Sequence, residues 1–136
     1  MLTDARVLEA YEIAKSTRDH AHAPYSKFHV GAAVAFKGVE KIFGGCNIEN
    51  ASYGGTVCAE RTALWSGITV LGRKEVDFIV VVCDTNPVTV PCAFCLQVIN
   101  EFSKGDAPIY LGDLEGIKKK VLFKELLPYP FDTLFS

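Results

Sequence analysis

Apolar residues recur along the chain in two rhythms, one near four and one of two, and each predicts an element. From about Thr3 to Asp19, Val7, Leu8, Tyr11 and Ala14 fall at helical spacing. This stretch reads as an amphipathic helix with Thr3 or Asp4 as its cap, laid over a sheet. Pro24 ends it, since the residue before a proline is pushed out of the helical region. Phe28, Val30, Ala32 and Val34 then alternate with smaller residues as a strand, and a turn around Lys37 and Gly38 returns the chain through Ile42 and Phe43.

Helical spacing resumes from Cys58 to Leu71 through Ala59, Thr62, Ala63 and Leu64, and stops at Gly72. The run Phe78-Ile79-Val80-Val81-Val82-Cys83 is too short for a membrane and suits a central strand buried on both faces. Pro91 precedes a further helix from Cys92 to about Phe102, and Ile109-Tyr110-Leu111 reads as another strand. Lys120 to Phe123 adds a fifth strand before a helical turn at Lys124 to Leu127. This order predicts an α/β fold, a three-layer α-β-α sandwich around a mixed, partly parallel five-stranded sheet.

Composition narrows the partners. The 136 residues, 49% hydrophobic and 22% charged, suit a single domain spanning 1–136 rather than a disordered tail. A net charge of -2 argues against nucleic acid, which needs concentrated Lys and Arg. The run Lys118, Lys119 and Lys120 reads as a solvated patch. Nothing approaches the apolar length of a membrane span, and the acidic start of the chain is unlike a secretory signal, so the expected location is cytoplasmic. Five cysteines there are expected as metal, catalytic or buried thiols rather than disulfides. Cys46 and Cys83, in apolar strand contexts, read as buried small hydrophobes, and His20, His22 and His29 as satisfied or solvated side chains.

The chemistry is concentrated in Cys58-Ala59-Glu60 and Pro91-Cys92-Ala93-Phe94-Cys95, each at the start of a predicted helix. Cys92 and Cys95, three apart in a first turn, share a face and can grip one ion, with Cys58 as third ligand. Three ligands leave a position on zinc for water, whose pKa there falls to about 7. Two helix N-termini aimed at one point favour the thiolates. Glu60, two residues past a ligand, is placed to carry protons rather than bind metal. Arg61 can offset the negative charge of the thiolates, or lie on the surface of its helix. A zinc knot used only for folding, or a redox pair at Cys92 and Cys95, are the alternatives, but no histidine or further cysteine stands at a local ligand spacing to Cys58.

C-x-E with a distant P-C-x-x-C is the all-cysteine form of the zinc deaminase signature. The segments APYSKFHVGAA, GCNIENASY, VCAERTAL, PCAFCLQVINEF and ELLPYPF extend the match, and the chain resembles the small homotetrameric cytidine deaminases over nearly its whole length. The resemblance implies one Zn2+ per subunit and hydrolysis of cytidine and deoxycytidine to the uridine products with release of ammonia, a step of pyrimidine salvage. It implies that Asn47 and Glu49 hold the ribose hydroxyls, that Phe28 and Ala59 line the base pocket, and that Phe131 reaches a neighbouring subunit's pocket in a tetramer with shared active sites. Tyr25 and Tyr53 match positions near subunit contacts.

The expected mechanism has Glu60 take a proton from zinc-bound water, hydroxide attack C4 of cytosine, and Glu60 deliver protons to the ring nitrogen and departing amine. The chain departs from the family at Ala93, where glycine is usual, and at Leu96, where arginine is usual. The second change removes a cation beside the metal helix. Two other readings compete: a deaminase of a cytosine nucleoside analogue of the blasticidin S type, and a zinc-stabilised interaction module without catalysis.

Overall fold

A computed structural model describes residues 4–132. Helix α1 (Ala5–Arg18) is followed by strands β1 (Val30–Phe36) and β2 (Phe43–Cys46), helix α2 (Ala59–Leu71), strand β3 (Val76–Cys83), helix α3 (Ala93–Asn100), strands β4 (Pro108–Asp113) and β5 (Gly116–Leu122), and the short helix α4 (Phe123–Leu126). The sheet order is β2-β1-β3-β4-β5. Only β3 and β4 run parallel; the other neighbours are antiparallel. The parallel pair needs a crossover, and α3 supplies it.

The period of two along the strands divides the core between two faces. Ala33 and Ala35 of β1, Phe78, Val80 and Val82 of β3 and Tyr110 of β4 pack under Val7, Ala10, Tyr11 and Ala14 of α1. Val30, Ala32, Val34 and Phe36 with Ile79, Val81 and Cys83 face the other way, against Ala59, Ala63 and Leu64 of α2 and Leu96 and Ile99 of α3. β3 is thus buried on both faces, and the expected three layers and mixed five-stranded sheet are observed.

Asp4 caps α1, its Oδ1 accepting from Arg6 N at 2.9 Å; Thr3, the other candidate, lies outside the described residues. Leu8 is exposed, because α1 rests on the stripe through residues 7, 10, 11 and 14 and Leu8 lies roughly 100° away from Val7. The helix stops at Arg18, well before Pro24, and Phe28 and His29 precede β1 instead of belonging to it. Cys46 is half-buried, Cys83 buried. The three lysines lie within edge strand β5, exposed as expected, and charge along an edge discourages pairing with another sheet.

Glycine lets α2 sit hard against β2. A Cβ on Gly45 would come within 2.5 Å of Ala63 N, so the sheet and helix backbones touch there. On the other face a Cβ on Gly31 would overlap the Ala14 carbonyl of α1. These two contacts fix the layers on either side of the sheet end from which the site opens.

Candidate metal centre and active site

α2 and α3 both begin on a cysteine with extended backbone: Cys58 is the N-cap of α2 and Cys92 that of α3. Cys95 lies one turn further, fully buried. The three Sγ atoms fall within 4.8 Å of one another, with Cys58 and Cys92 at 3.9 Å. Sulfurs bound at about 2.3 Å to one tetrahedral zinc stand about 3.8 Å apart, so the spacing fits. No other Cys, His, Asp or Glu joins this cluster among the described residues. Three protein donors leave the fourth position of a tetrahedral ion for water or substrate.

The chemistry of the donors also fits a cation. The Cys58 thiol is pulled down to about 5 by a hydrogen bond from the Cys95 thiol, with Arg61 assisting against the effect of burial. Cys95 is pushed up by the same bond and by burial. Sulfurs so close cannot all ionise without a positive charge among them, and soft thiolates suit zinc.

Glu60, in the first turn of α2, is only 5% exposed. Burial pushes its carboxyl up to about 7, with the nearby Cys58 adding to the rise, against a backbone hydrogen bond and the weaker pull of Arg61. A group that titrates near neutrality can both take and give a proton at working pH. Arg61 is not a surface residue: its Nη2 donates to Cys58 Sγ at 3.4 Å, and its side chain is buried.

Cys58, Glu60 and Cys92 open onto one cavity of ≈ 310 Å³, which Phe28, Asn47, Glu49 and Ala59 also line. Its remaining wall includes Val30, Val57, Val81 and Val90, so a flat apolar ring can lie against it. Backbone pairing brings the distant pieces together. Ile48 pairs with Val57 through N–H···O bonds of 2.9 and 3.0 Å, and His22 N donates to Asn47 O at 3.0 Å. The segment 47–49 is thereby threaded beside the residue preceding Cys58.

Each polar wall residue is itself held. Asn47 Oδ1 accepts from Val30 N at 2.9 Å. Glu49 Oε1 accepts from the amides of Tyr25 and Ser26 at 3.0 and 3.1 Å, and its Oε2 from the Ser26 hydroxyl. Those bonds hold the Glu49 carboxyl below its ordinary range. Of the residues expected to touch the substrate, Phe131 is not brought to the cavity: it is 69% exposed, and its carbonyl accepts from Gln97 Nε2 at 2.7 Å.

The model of the cytidine and deoxycytidylate deaminase zinc-binding region matches residues 5–111, a span that holds all three cysteines, Glu60 and the cavity walls. The chain belongs to this deaminase family. A cytidine deaminase of Halalkalibacterium halodurans is 46% identical over 118 residues, which are 87% of this chain and 88% of that protein. One from Sporosarcina psychrophila is 42% identical over 87% of this chain and 85% of that protein. The crystal structure of cytidine deaminase from Burkholderia pseudomallei superposes with a TM-score of 0.85 at 39% identity, covering 96% of this chain and 100% of that one. That from Mycobacterium tuberculosis does so at 0.79 and 28% identity over 96% and 100%.

Sequence reasoning about this deaminase missed the residues that support the named ones. Ser26 orients Glu49 with both its hydroxyl and its amide; the only signal was its place in APYSKFHVGAA. Thr56, Thr89 and Val90 complete the cavity. Thr89 Oγ1 lies 2.9 Å from Thr85 Oγ1, a bond that braces the loop leading to Cys92. Leu96, where the family resemblance led to the expectation of arginine, is buried in the core, and Arg61 lies at the thiols.

Proposed function

We propose that the chain is a hydrolytic deaminase of free cytidine and deoxycytidine, yielding uridine and deoxyuridine with release of ammonia. The observation that carries this reading is a buried carboxyl, Glu60, sharing one cavity with thiols Cys58 and Cys92 of a three-cysteine cluster. Zinc, when bound by Cys58, Cys92 and Cys95, supplies the Lewis acidity that makes water nucleophilic at neutral pH. Glu60 accepts one proton of that water and passes it to N3 of the cytosine ring, then takes the remaining proton of the hydroxyl added at C4 and passes it to the amine, which leaves as ammonia. Ala59 and the valine wall exclude bulk water around the ring, and Phe28 packs on it.

Asn47 and Glu49 read the sugar. After its bonds to Val30 and Phe28, Asn47 keeps one N–H and one lone pair, and Glu49, whose oxygens already accept three bonds, keeps one lone pair on Oε2, so that between them two ribose hydroxyls can be held. The family description spans both a nucleoside and its phosphate, and the cavity favours the nucleoside. Among the described residues no lysine or arginine lines it, and the carboxylate of Glu49 would repel a phosphate.

Further parts of the reading concern the whole molecule. The chain acts as one domain, in the cytoplasm, recycling pyrimidine nucleosides. It assembles as a homotetramer in which Phe131, turned away from its own cavity, closes that of a neighbour. No helix among the described residues is long and apolar enough to cross a membrane.

The direct test is the fall in cytidine absorbance on adding zinc-loaded protein, with ammonia measured in parallel. Turnover of cytidine and deoxycytidine is expected, and little of their 5′-phosphates. Absence of ammonia release from a zinc-loaded, folded protein would favour a non-catalytic zinc module.

A further inference from the structure

Phe94 stands between the ligands Cys92 and Cys95 in the first turn of α3, and its ring is 62% exposed. A single exposed phenylalanine is ordinary on a protein surface; what sets Phe94 apart is the cation laid against its ring. The Cζ of Arg61 lies over that ring, 4.0 Å from its centroid, and 5.8 Å from the centroid of Trp65. Arg61 belongs to α2, the helix that begins on Cys58. Arg61 is 8% exposed, its Nη2 reaches Cys58 Sγ, and its Nε is buried without a hydrogen-bond partner among the described residues.

A guanidinium so deeply placed and incompletely hydrogen-bonded needs compensation on its flat faces as well as its edges. The thiols occupy an edge. The negative face of an aromatic ring attracts a cation laid over it, and more strongly when water is excluded. Trp65, at 5.8 Å, lies at the outer limit of such contacts, which leaves Phe94 at 4.0 Å as the principal aromatic partner.

We propose that Phe94 is a positioning residue which, through Arg61, clasps the two ligand-bearing helices together and slows the escape of the metal. The clasp runs from the α3 ligand turn through the Phe94 ring to the Arg61 guanidinium and on to Cys58. The proposal rests on the assignment of zinc to the three cysteines, and its test separates the two.

The experiment compares zinc release from the loaded enzyme to a colorimetric chelator for wild type, Phe94→Leu, Phe94→Met, Phe94→Tyr and Phe94→Trp. Leu and Met keep apolar bulk without a ring and should release zinc about fivefold faster, while Tyr and Trp stay within about twofold of wild type. Phe94→Leu combined with Arg61→Gln should release no faster than Arg61→Gln alone, because the ring then has no guanidinium to hold. Release from Phe94→Leu and Phe94→Met at the wild-type rate overturns the clasp. So does a Phe94→Leu effect that persists in full beside Arg61→Gln. A wild type that retains no stoichiometric zinc sinks the metal assignment instead.

Discussion

Asn47 Nδ2 donates to the Phe28 carbonyl at 2.7 Å, so the amide and the aromatic ring on adjoining walls of the cavity are tied to one another. The same side chain pairs the buried Val30 amide. Asn47→Ala leaves that N–H without its partner in a region closed to water. Such losses cost about 2 kcal/mol, and Tm should fall by roughly 6 °C in thermal unfolding, alongside a raised KM for cytidine. A variant with unchanged Tm would show that water replaces the amide freely.

Glu60→Gln keeps the size and burial of the side chain but cannot carry the proton. Zinc content should stay at wild-type stoichiometry while kcat drops about 10³-fold, within the range expected for removing a positioned acid-base group. Metal analysis and turnover on one preparation make the check, and near-normal turnover removes Glu60 from the chemistry.

The Glu49 carboxyl is held below its ordinary value of 4.5, first by the Ser26 hydroxyl and then by the amides of Ser26 and Tyr25. A carboxyl with a depressed folded pKa stabilises the fold fully above its unfolded value, and that contribution disappears as pH falls through the folded one. The Tm advantage of wild type over Glu49→Gln should therefore be constant near neutrality and shrink on acidification from pH ~5 towards pH ~3. A gap independent of pH in thermal unfolding would mean that the bonds do not depend on the charge.

Gly45→Ala places a methyl group against the α2 backbone, where Ala63 N would lie 2.5 Å from the new Cβ. Backbone cannot rotate aside as a side chain can. Overpacking of this kind costs about 1–3 kcal/mol, and chemical denaturation should show the midpoint falling with the slope retained. An unaltered midpoint would mean that sheet and helix separate at no cost.

Patterns within one element were legible in the sequence. C-x-x-C is a first-turn spacing, so helix geometry predicted that Cys92 and Cys95 would converge, while Cys58 was added as third ligand from the zinc pattern; the apolar run from Phe78 to Cys83 predicted a strand with two covered faces. Arrangements that depend on the third dimension were not. Leu8 and Val7 are adjacent in sequence and equally apolar, and only the placement of α1 decides which is buried. Lys118, Lys119 and Lys120 read only as a solvated patch, with the strand starting at Lys120, whereas β5 runs from Gly116 as an edge strand, where both faces tolerate charge. Ser26 meets Glu49 because separate loops cross, and Phe94 meets Arg61 because two helices start side by side. The sugar-reading roles of Asn47 and Glu49 were reached through family likeness, since a polar turn after a strand has no chemistry of its own.

The two helix starts are not equivalent. Cys92 Sγ accepts from Cys95 N at 3.4 Å and so closes the end of α3 by itself, whereas Cys58 makes no such bond to α2. The opening turn of α2 is held instead by the Arg61 bond to Cys58 Sγ, by the pairing of Val57 with Ile48 and, when bound, by the ion. Removing zinc should fray that turn before the other, and Glu60 rides on it, so a chelated enzyme would lose its proton carrier from the cavity in the same event that strips its metal.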